Sequence, residues 1–516
     1  MSRPIDFLSS LARLGGPSSG ASSRLIAGIA TRSAERMARL QRDFAAPSVR
    51  AAVPEGTAVL AATRDAVRAL PPAQRERALH GPDLRGFIAA GELWVDVLRQ
   101  AERLAADPTD RRARIRLFER LATTEHLITL LPRGHLDRGC AERAGRFARG
   151  RLRRVTADLA ACLAGLRLLR PGGSPLELRL EFHAEPELGR PGDRLDLGML
   201  HTAAGPLSLA RTARRTGGSG AGPAVRIRIE GRSLLVHAPR SPAVVLPAAA
   251  SRLRFPAGAL VPRTDAARSD AMRLVRRPSI PGTPIILAPT LHSSPGRLSV
   301  GTGVRGLGDR LGRALRALGI VWPEMRAEVV RRTAMVVPIS ETGLVSYSLA
   351  ARPGVSFINV TGKRIVELAD DLLHESAHHL LHDIQEIAAL LVPGEETEDV
   401  QAFDSPWRGT RRPLHGILHG CYTFLFRAEL LIRLRDSRGA PSRMVACLLG
   451  RGYAPFARRE ARRELAMLRE GLRQLDTAAR AGLLTAAGRR LVHAMRVWYA
   501  GLVASGASTR HPGRKR

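Results

Sequence analysis

Residues 374–378 read His-Glu-Ser-Ala-His, a spacing that can hold a metal ion. Apolar residues recur around this motif at helical intervals, which predicts one amphipathic helix over residues 364–384. On a helix, His374 and His378 stand one turn apart on one face, where two neutral imidazoles can bind one divalent metal. The Glu375 carboxylate can then reach a metal-bound water. The alternative is a surface helix whose histidines and glutamate share no function.

A site of this kind needs a third protein ligand. The extended metzincin motif would place glycine at position 381 and histidine at position 384, but the chain has Leu381 and Ile384. A glutamate ligand would be expected on a following helix, whereas Glu386 lies close to the motif. Three further glutamates fall in a loop predicted over residues 394–413: Glu395, Glu396 and Glu398. No carboxylate therefore has the sequence context of a third ligand.

Two later histidines are better placed to complete the site. His415 and His419 lie four positions apart in PLHGILHGCYTF, and the apolar spacing there predicts a second helix. If this helix packs beside the first, either histidine could be the third ligand. Three protein ligands leave coordination positions open, which is the arrangement of catalytic sites.

The open positions allow two chemistries. With zinc, Glu375 would deprotonate a bound water for peptide hydrolysis. With ferrous iron, a 2-oxo acid and dioxygen could occupy them, and the far carboxylate of the 2-oxo acid would need a cation. The bidentate guanidinium of arginine suits that role. Arg408, Arg411 and Arg412 lie between the motif and His419, although they could also belong to a general excess of arginine.

That excess dominates the composition. The 516 residues carry 81 basic and 47 acidic side chains, for a formal charge of +34, and Lys363 and Lys515 are the only lysines. Such a charge often indicates a nucleic-acid partner. No zinc finger, helix-turn-helix signature or aromatic-basic stretch accompanies it, so we interpret it as solvated arginine faces. An anionic partner stays compatible, and a non-catalytic basic scaffold is a third functional hypothesis.

The cysteines and the N-terminus predict a soluble cytoplasmic protein. The four cysteines form no C-x-x-C pair, which fits a reducing compartment: Cys140, Cys162, Cys421 and Cys447. The first residues lack the apolar run of a signal peptide, and no stretch is long enough to span a membrane.

Pattern changes along the chain predict an α+β, mostly helical protein. In chain order, the sequence predicts a poorly ordered or short-helix N-terminus (1–50), a helical domain (51–172), a β-rich region (173–300), a metal-binding catalytic domain with a small sheet (301–504) and a basic tail (505–516). Within the third region, AVRIRIEGRSLLVHAP predicts a hairpin. Directly before the motif, MVVPI, SYSLA and VSFINV predict hairpin-like strands, and two helices should break near Val321-Trp322-Pro323.

The motif and its surroundings resemble a known family. HESAHHLLHD followed by FDSPWRGTRRPLHGILHGCYTF is similar to the HEXXH motif domain of bacterial peptide-modifying systems. Members of that family are described as 2-oxoglutarate-dependent HExxH-type peptide β-hydroxylases. The resemblance covers about residues 315–435, and its combination of segments is more specific than the five-residue motif alone.

The resemblance implies an Fe(II)- and 2-oxoglutarate-dependent enzyme of natural-product biosynthesis. It would hydroxylate a β-carbon in a ribosomally made precursor peptide. By the matched positions, His374, His378 and His419 hold the metal, Glu375 acts near it, and Arg412 or Arg408 pairs with 2-oxoglutarate. His419 is preferred over His415 on this ground. Trp407, Pro413 and Gly420 also match, whereas His379 and His382 have no assigned place.

Overall fold

A computed structural model of the protein shows a predominantly helical α+β fold, as predicted. The structure describes residues 19–122, 138–169, 176–181, 194–202, 205–212, 224–230, 233–237, 244–247, 273–276, 279–287, 306–340, 342–343, 345–350, 352–394 and 403–508. The chain divides into two compact units. One comprises Ser33–Pro278 and Ala288–Val300, and the other comprises Met1–Arg32, Ser279–Leu287 and Gly301–Arg516. We call them the first unit and the second unit.

Helices of the first unit bury apolar stripes against each other. They are α1 (Ser19–Phe44, which crosses the boundary between the units), α2 (Pro47–Ala52), α3 (Gly56–Arg68), α4 (Pro72–His80), α5 (Pro82–Ala106), α6 (Arg111–Ala122) and α7 (Arg138–Leu169). Leu40, Leu60, Leu98 and Leu152 are fully buried, so leucine makes up much of this core. Trp94 also packs edge-on against the ring of Phe147, with centroids 5.4 Å apart.

Strands of the first unit form two antiparallel sheets. Their strands are β1 (Leu176–Glu181), β2 (Arg194–Thr202), β3 (Gly205–Thr212), β4 (Ala224–Glu230), β5 (Ser233–His237), β6 (Val244–Pro247) and β7 (Arg273–Arg276). The sheet orders are β1-β4-β5-β6 and β2-β3-β7. The predicted hairpin is the antiparallel pair β4 and β5, because its alternating residues fit a pleated strand.

The compact units follow bounds that differ from the predicted regions. The predicted helical region and the predicted β-rich region, except for Ser279–Leu287, lie in the first unit, where helix α7 runs beside strand β2. The N-terminal region contains α1, a helix of 26 residues rather than a short one. Residues 509–516 of the predicted tail lie outside the described residues. No helix in the described ranges has the length and apolar content needed to cross a membrane.

The second unit combines helices with a small mixed sheet. Its helices are α8 (Leu307–Val321), α9 (Pro323–Arg332), α10 (Ile365–Ile387), α11 (Leu414–Asp436), α12 (Gly439–Leu449), α13 (Tyr453–Arg480) and α14 (Ala486–Ser508). The predicted break falls at Trp322, where Pro323 opens α9 at a position that needs no backbone donor. Helix α10 packs beside α11, and α11 packs along α13.

A mixed four-stranded sheet precedes α10. Its order is β10-β11-β9-β8, with β8 (Ile286–Leu287), β9 (Met335–Ile339), β10 (Tyr347–Ser348) and β11 (Val355–Asn359). The prediction of hairpin-like strands is correct only for β10 and β11, since β9 runs parallel to β11. Both β9 and β11 are almost wholly buried, as is typical of parallel strands covered on both faces.

Candidate metal centre

Helix α10 carries the motif and is fixed at its start by local chemistry. Gly362 adopts φ +65° in the turn before it, a conformation that glycine accepts without strain. The carboxylate of Glu367 then accepts a 2.9 Å hydrogen bond from the backbone N–H of Arg364. This bond satisfies one of the N–H groups that a helix start leaves without an internal partner.

Two polar contacts fix the buried back of α10. The hydroxyl of Ser356, on β11, lies 3.1 Å from Nε2 of His379. Asp383 is buried and pairs with the guanidinium of Arg332, which also bonds Glu328 within α9. His379, which the sequence left without a place, therefore links α10 to the sheet and points away from the motif face.

Five histidine rings meet between α10 and α11. On α10, the centroid of His378 lies 4.9 Å from that of His374 and 6.2 Å from that of His382. From α11, His419 lies 5.5 Å from His378 and 5.3 Å from His382, and His415 lies 6.1 Å from His419. His415 is exposed, and the other four histidines are half-buried. The structure thus places the predicted metal residues in one cluster and adds His382 to it.

His378 and His419 come closest. Their Nδ1 atoms lie 3.4 Å apart. Two nitrogens bound to one tetrahedral metal at about 2.0–2.1 Å are separated by about 3.3–3.4 Å, so this pair already has the spacing of two ligands. In the described part of the chain, no group of three or more His, Cys, Asp or Glu side chains already stands in a metal-holding arrangement. A third imidazole would have to rotate toward the pair.

The surroundings keep the candidate ligands in their metal-binding form. Burial is the main cause that lowers the pKa of His374, to about 3, and the positive charges of Arg427, Lys363 and Arg408 lower it further. Burial and then neighbouring histidines also hold the pKa of His378 and of His419 well below the usual value. In addition, Nδ1 of His374 is buried without a hydrogen-bond partner among the described residues. Neutral imidazoles with a donor atom to spare fit a divalent transition metal.

Glu375 faces the edge of the sheet. It is buried, and its Oε2 accepts a 2.9 Å hydrogen bond from the hydroxyl of Ser348 on β10. Burial raises the pKa of Glu375 to about 8, against the opposing effect of that hydrogen bond. One turn earlier, Asp371 accepts a 2.8 Å hydrogen bond from Ser346. The β10 segment is therefore attached to α10 through two carboxylates.

Residues 403–412 form a hairpin against the cluster, where the sequence predicted a loop. Strand β12 (Phe403–Ser405) pairs with β13 (Thr410–Arg412), and Gly409 takes φ +65° at the turn. The prediction was wrong because the segment is too short and too polar to show strand periodicity. Most of the acidic stretch before it, residues 395–402, lies outside the described residues, and so do Glu395, Glu396 and Glu398. Glu386 lies in the last turn of α10.

Trp407 anchors this hairpin. Its ring stacks on Phe424 with centroids 4.7 Å apart, and Phe424 lies 4.7 Å from the ring of His374. Glycines open the space for the indole: a Cβ on Gly420 would stand 2.9 Å from it, and one on Gly471 would stand 2.7 Å from it. The matched glycine and tryptophan of the sequence are therefore in direct contact.

The anchored hairpin presents three exposed arginines, Arg408, Arg411 and Arg412. Arg412 lies over Gly416, one turn of α11 before Gly420. Partial desolvation and then the charge of Arg408 lower the pKa of Arg412. Arg408 also acts electrostatically on His374. Neither Arg408 nor Arg412 forms an ion pair with a carboxylate of the described residues, whereas Arg411 lies 3.9 Å from Asp404.

A buried ionic network lies behind the cluster, and sequence reasoning missed it. Arg427 on α11 donates to Asp370 at 2.7 Å and to Glu464 at 2.5 Å, and Glu464 also accepts from Nε1 of Trp407 at 2.6 Å. Glu464 lies far along the chain on α13, and no sequence motif marks it.

The sequence does contain a signal for His382 as a member of the histidine cluster, because this residue repeats the four-residue spacing of His374 and His378.

No protein-family model matches the chain, and no curated protein matches it either.

Proposed function

We propose that the chain is an Fe(II)- and 2-oxoglutarate-dependent oxygenase that hydroxylates a β-carbon of a ribosomally made precursor peptide. His374, His378 and His419 would hold the iron. The observation that carries the proposal is the placement of the hairpin: Trp407 holds it against the histidine cluster, and its arginines Arg408 and Arg412 have no carboxylate partner among the described residues. Such a pair of cations suits the far carboxylate of a 2-oxo acid.

The iron, when bound, would supply activation of dioxygen. The balance of the reaction assigns one oxygen atom of O2 to the peptide C–H bond and the other to succinate, with release of CO2. Arg408 and Arg412 would bind and orient the 2-oxo acid. Glu375, held by Ser348, would stand beside the metal position without being a ligand. Phe424 and Trp407 would exclude water on the side of His374.

The test is direct. Protein purified anaerobically and loaded with Fe(II) is given 2-oxoglutarate, dioxygen and candidate peptides from the same gene neighbourhood. The proposal expects a mass gain of one oxygen atom and, with labelled dioxygen, label in both peptide and succinate. The variant His419→Ala should lose the gain, whereas His493→Ala, at an exposed position of α14, should keep it. Unlabelled product or no mass gain with any candidate peptide would contradict the proposal.

A second candidate function is zinc-dependent peptide hydrolysis. It is favoured by Glu375, which is buried beside His374 and bonded to the edge strand β10. In that case Glu375 would take the proton of a metal-bound water. Peptide cleavage with zinc, abolished by Glu375→Gln and not accompanied by oxygen incorporation, would support hydrolysis over hydroxylation.

A further inference from the structure

His382 stands in the histidine cluster as a counterpart of His374. On α10 the four-residue spacing occurs twice, once between His374 and His378 and once between His378 and His382. Residues four apart on a helix share a face, so both outer histidines flank His378 on the side that meets α11. His378 is therefore common to two possible ligand pairs.

The position of His419 does not favour the pair His374 and His378 over the pair His378 and His382. Its ring contacts His378 at 5.5 Å and His382 at 5.3 Å between centroids, while the ring of His374 contacts His378 and Phe424. Imidazoles that share one tetrahedral metal have centroids about 5 Å apart, from the metal–nitrogen bond length and the ring size. The three pairs among His378, His382 and His419 lie at 5.5, 5.3 and 6.2 Å, close to that value.

We propose that His382 is an alternative third metal ligand, which with His378 and His419 forms a second metal site that overlaps the first. This inference rests on the same histidine cluster as the proposed function. The two sites share the preformed pair of Nδ1 atoms, 3.4 Å apart, and differ in whether His374 or His382 rotates toward it. Because both need His378 and His419, one chain holds one metal in one site or the other.

The two sites would differ chiefly in where the third ligand stands. A metal bound at about 2.0–2.1 Å from both Nδ1 atoms, which lie 3.4 Å apart, can shift by at most about 2 Å between the two arrangements. The third ligand, in contrast, moves by one helical turn, because His382 lies about 6 Å along the axis of α10 from His378 on the side opposite to His374. Metal binding in the second site would therefore not need His374, whose ring lies beside Phe424.

The experiment measures Co(II) binding to the full chain by titration calorimetry and by the visible absorption of the bound ion. Wild type and His493→Ala, the exposed control, should each bind one equivalent. His374→Ala should still bind about one equivalent, with an affinity within about tenfold of wild type, and so should His382→Ala. His374→Ala/His382→Ala and His378→Ala should each lose at least about a hundredfold in affinity. Circular dichroism confirms that each variant is folded.

Loss of Co(II) binding in His374→Ala alone, with the double variant no worse, would overturn the second site. Retention of tight binding in the double variant would also overturn it. Failure of the proposed hydroxylation is a separate result, because it is read from the peptide mass. A protein in which His374→Ala binds Co(II) but wild type hydroxylates no peptide keeps the second site and loses the proposed function.

Discussion

Nε1 of Trp407 donates a 2.6 Å hydrogen bond to Oε1 of Glu464, a carboxylate 57 positions further along the chain. The other oxygen of Glu464 accepts from Arg427, and the side chain is fully buried. Trp407 anchors the hairpin that bears Arg408 and Arg412, so the position of the candidate anion-binding arginines depends on a carboxylate in another helix.

Replacing Glu464 with alanine should destabilise the second unit. The change removes the hydrogen-bond acceptor of the Trp407 indole and one of the carboxylates paired with Arg427, whereas the pair of Arg427 with Asp370 remains. Breaking one side of a buried pair costs about 3 kcal/mol or more. Urea unfolding measures the loss. Glu470→Ala, on the same helix but at the surface, should change the free energy of unfolding by less than about 0.5 kcal/mol. Equal losses in both variants would contradict the role given to Glu464.

Gly420→Ala should displace Trp407. A Cβ at this position would stand 2.9 Å from the indole, so the ring or the helix must move, at a cost of about 1–3 kcal/mol. Gly416→Ala, one turn earlier on α11, is the matched control, because its Cβ would meet Arg412 at an ordinary 3.6 Å. That variant should be neutral or gain up to about 1 kcal/mol from helix propensity. Urea unfolding and tryptophan fluorescence report both effects, and a neutral Gly420→Ala would show that the indole contact is not tight.

Asp371→Asn should change the pH dependence of stability. Burial raises the pKa of Asp371 from its usual 3.8 to about 6, despite the nearby charge of Lys363. Between these two values the folded protein holds a proton that the unfolded chain has lost. The free energy of unfolding therefore falls as pH rises through this window and levels off above it. Asp371 contributes at most about 3 kcal/mol to this fall.

The measurement is urea unfolding between pH 4 and 7, in which Asp371→Asn should remove this part of the slope. Glu470→Gln is the control, because hydrogen bonds from Arg473 and Gln474 lower the pKa of Glu470 from 4.5 to about 2. Its effect on stability therefore lies between these two pH values, mostly below the window, and has the opposite sign. If the free energy of unfolding of Asp371→Asn depends on pH as steeply as that of wild type, another group causes the slope.

Arg412→Ala and Arg408→Ala should each weaken 2-oxoglutarate binding. A charge-assisted hydrogen bond to a carboxylate contributes about 1.5–3 kcal/mol, which corresponds to a loss of about ten- to a hundredfold in affinity. Calorimetry on protein loaded with a redox-inert divalent metal measures the change without turnover. Arg411→Ala, from the same hairpin, should bind as wild type does. If Arg411→Ala weakens binding as much as the other two, general surface charge and not the two arginines attracts the ligand.

The sequence by itself determined the local parts of this site. The apolar spacing predicted a helix over residues 364–384, which the structure has at Ile365–Ile387, and the four-residue spacing within it put His374 and His378 on one face. The same reasoning gave the α11 helix with His415 and His419, and the break at Trp322. These features follow from interactions between residues close in the chain, which periodicity and proline placement record directly.

Only the tertiary structure decided which of these groups meet. Nδ1 of His378 approaches Nδ1 of His419 because α10 and α11 pack their apolar faces together, and that same packing brings His382 into the cluster. The role of Glu464 depends on α13 lying beside α11. Contacts between residues 41 and 57 positions apart depend on how whole helix surfaces fit, and no local pattern encodes that fit.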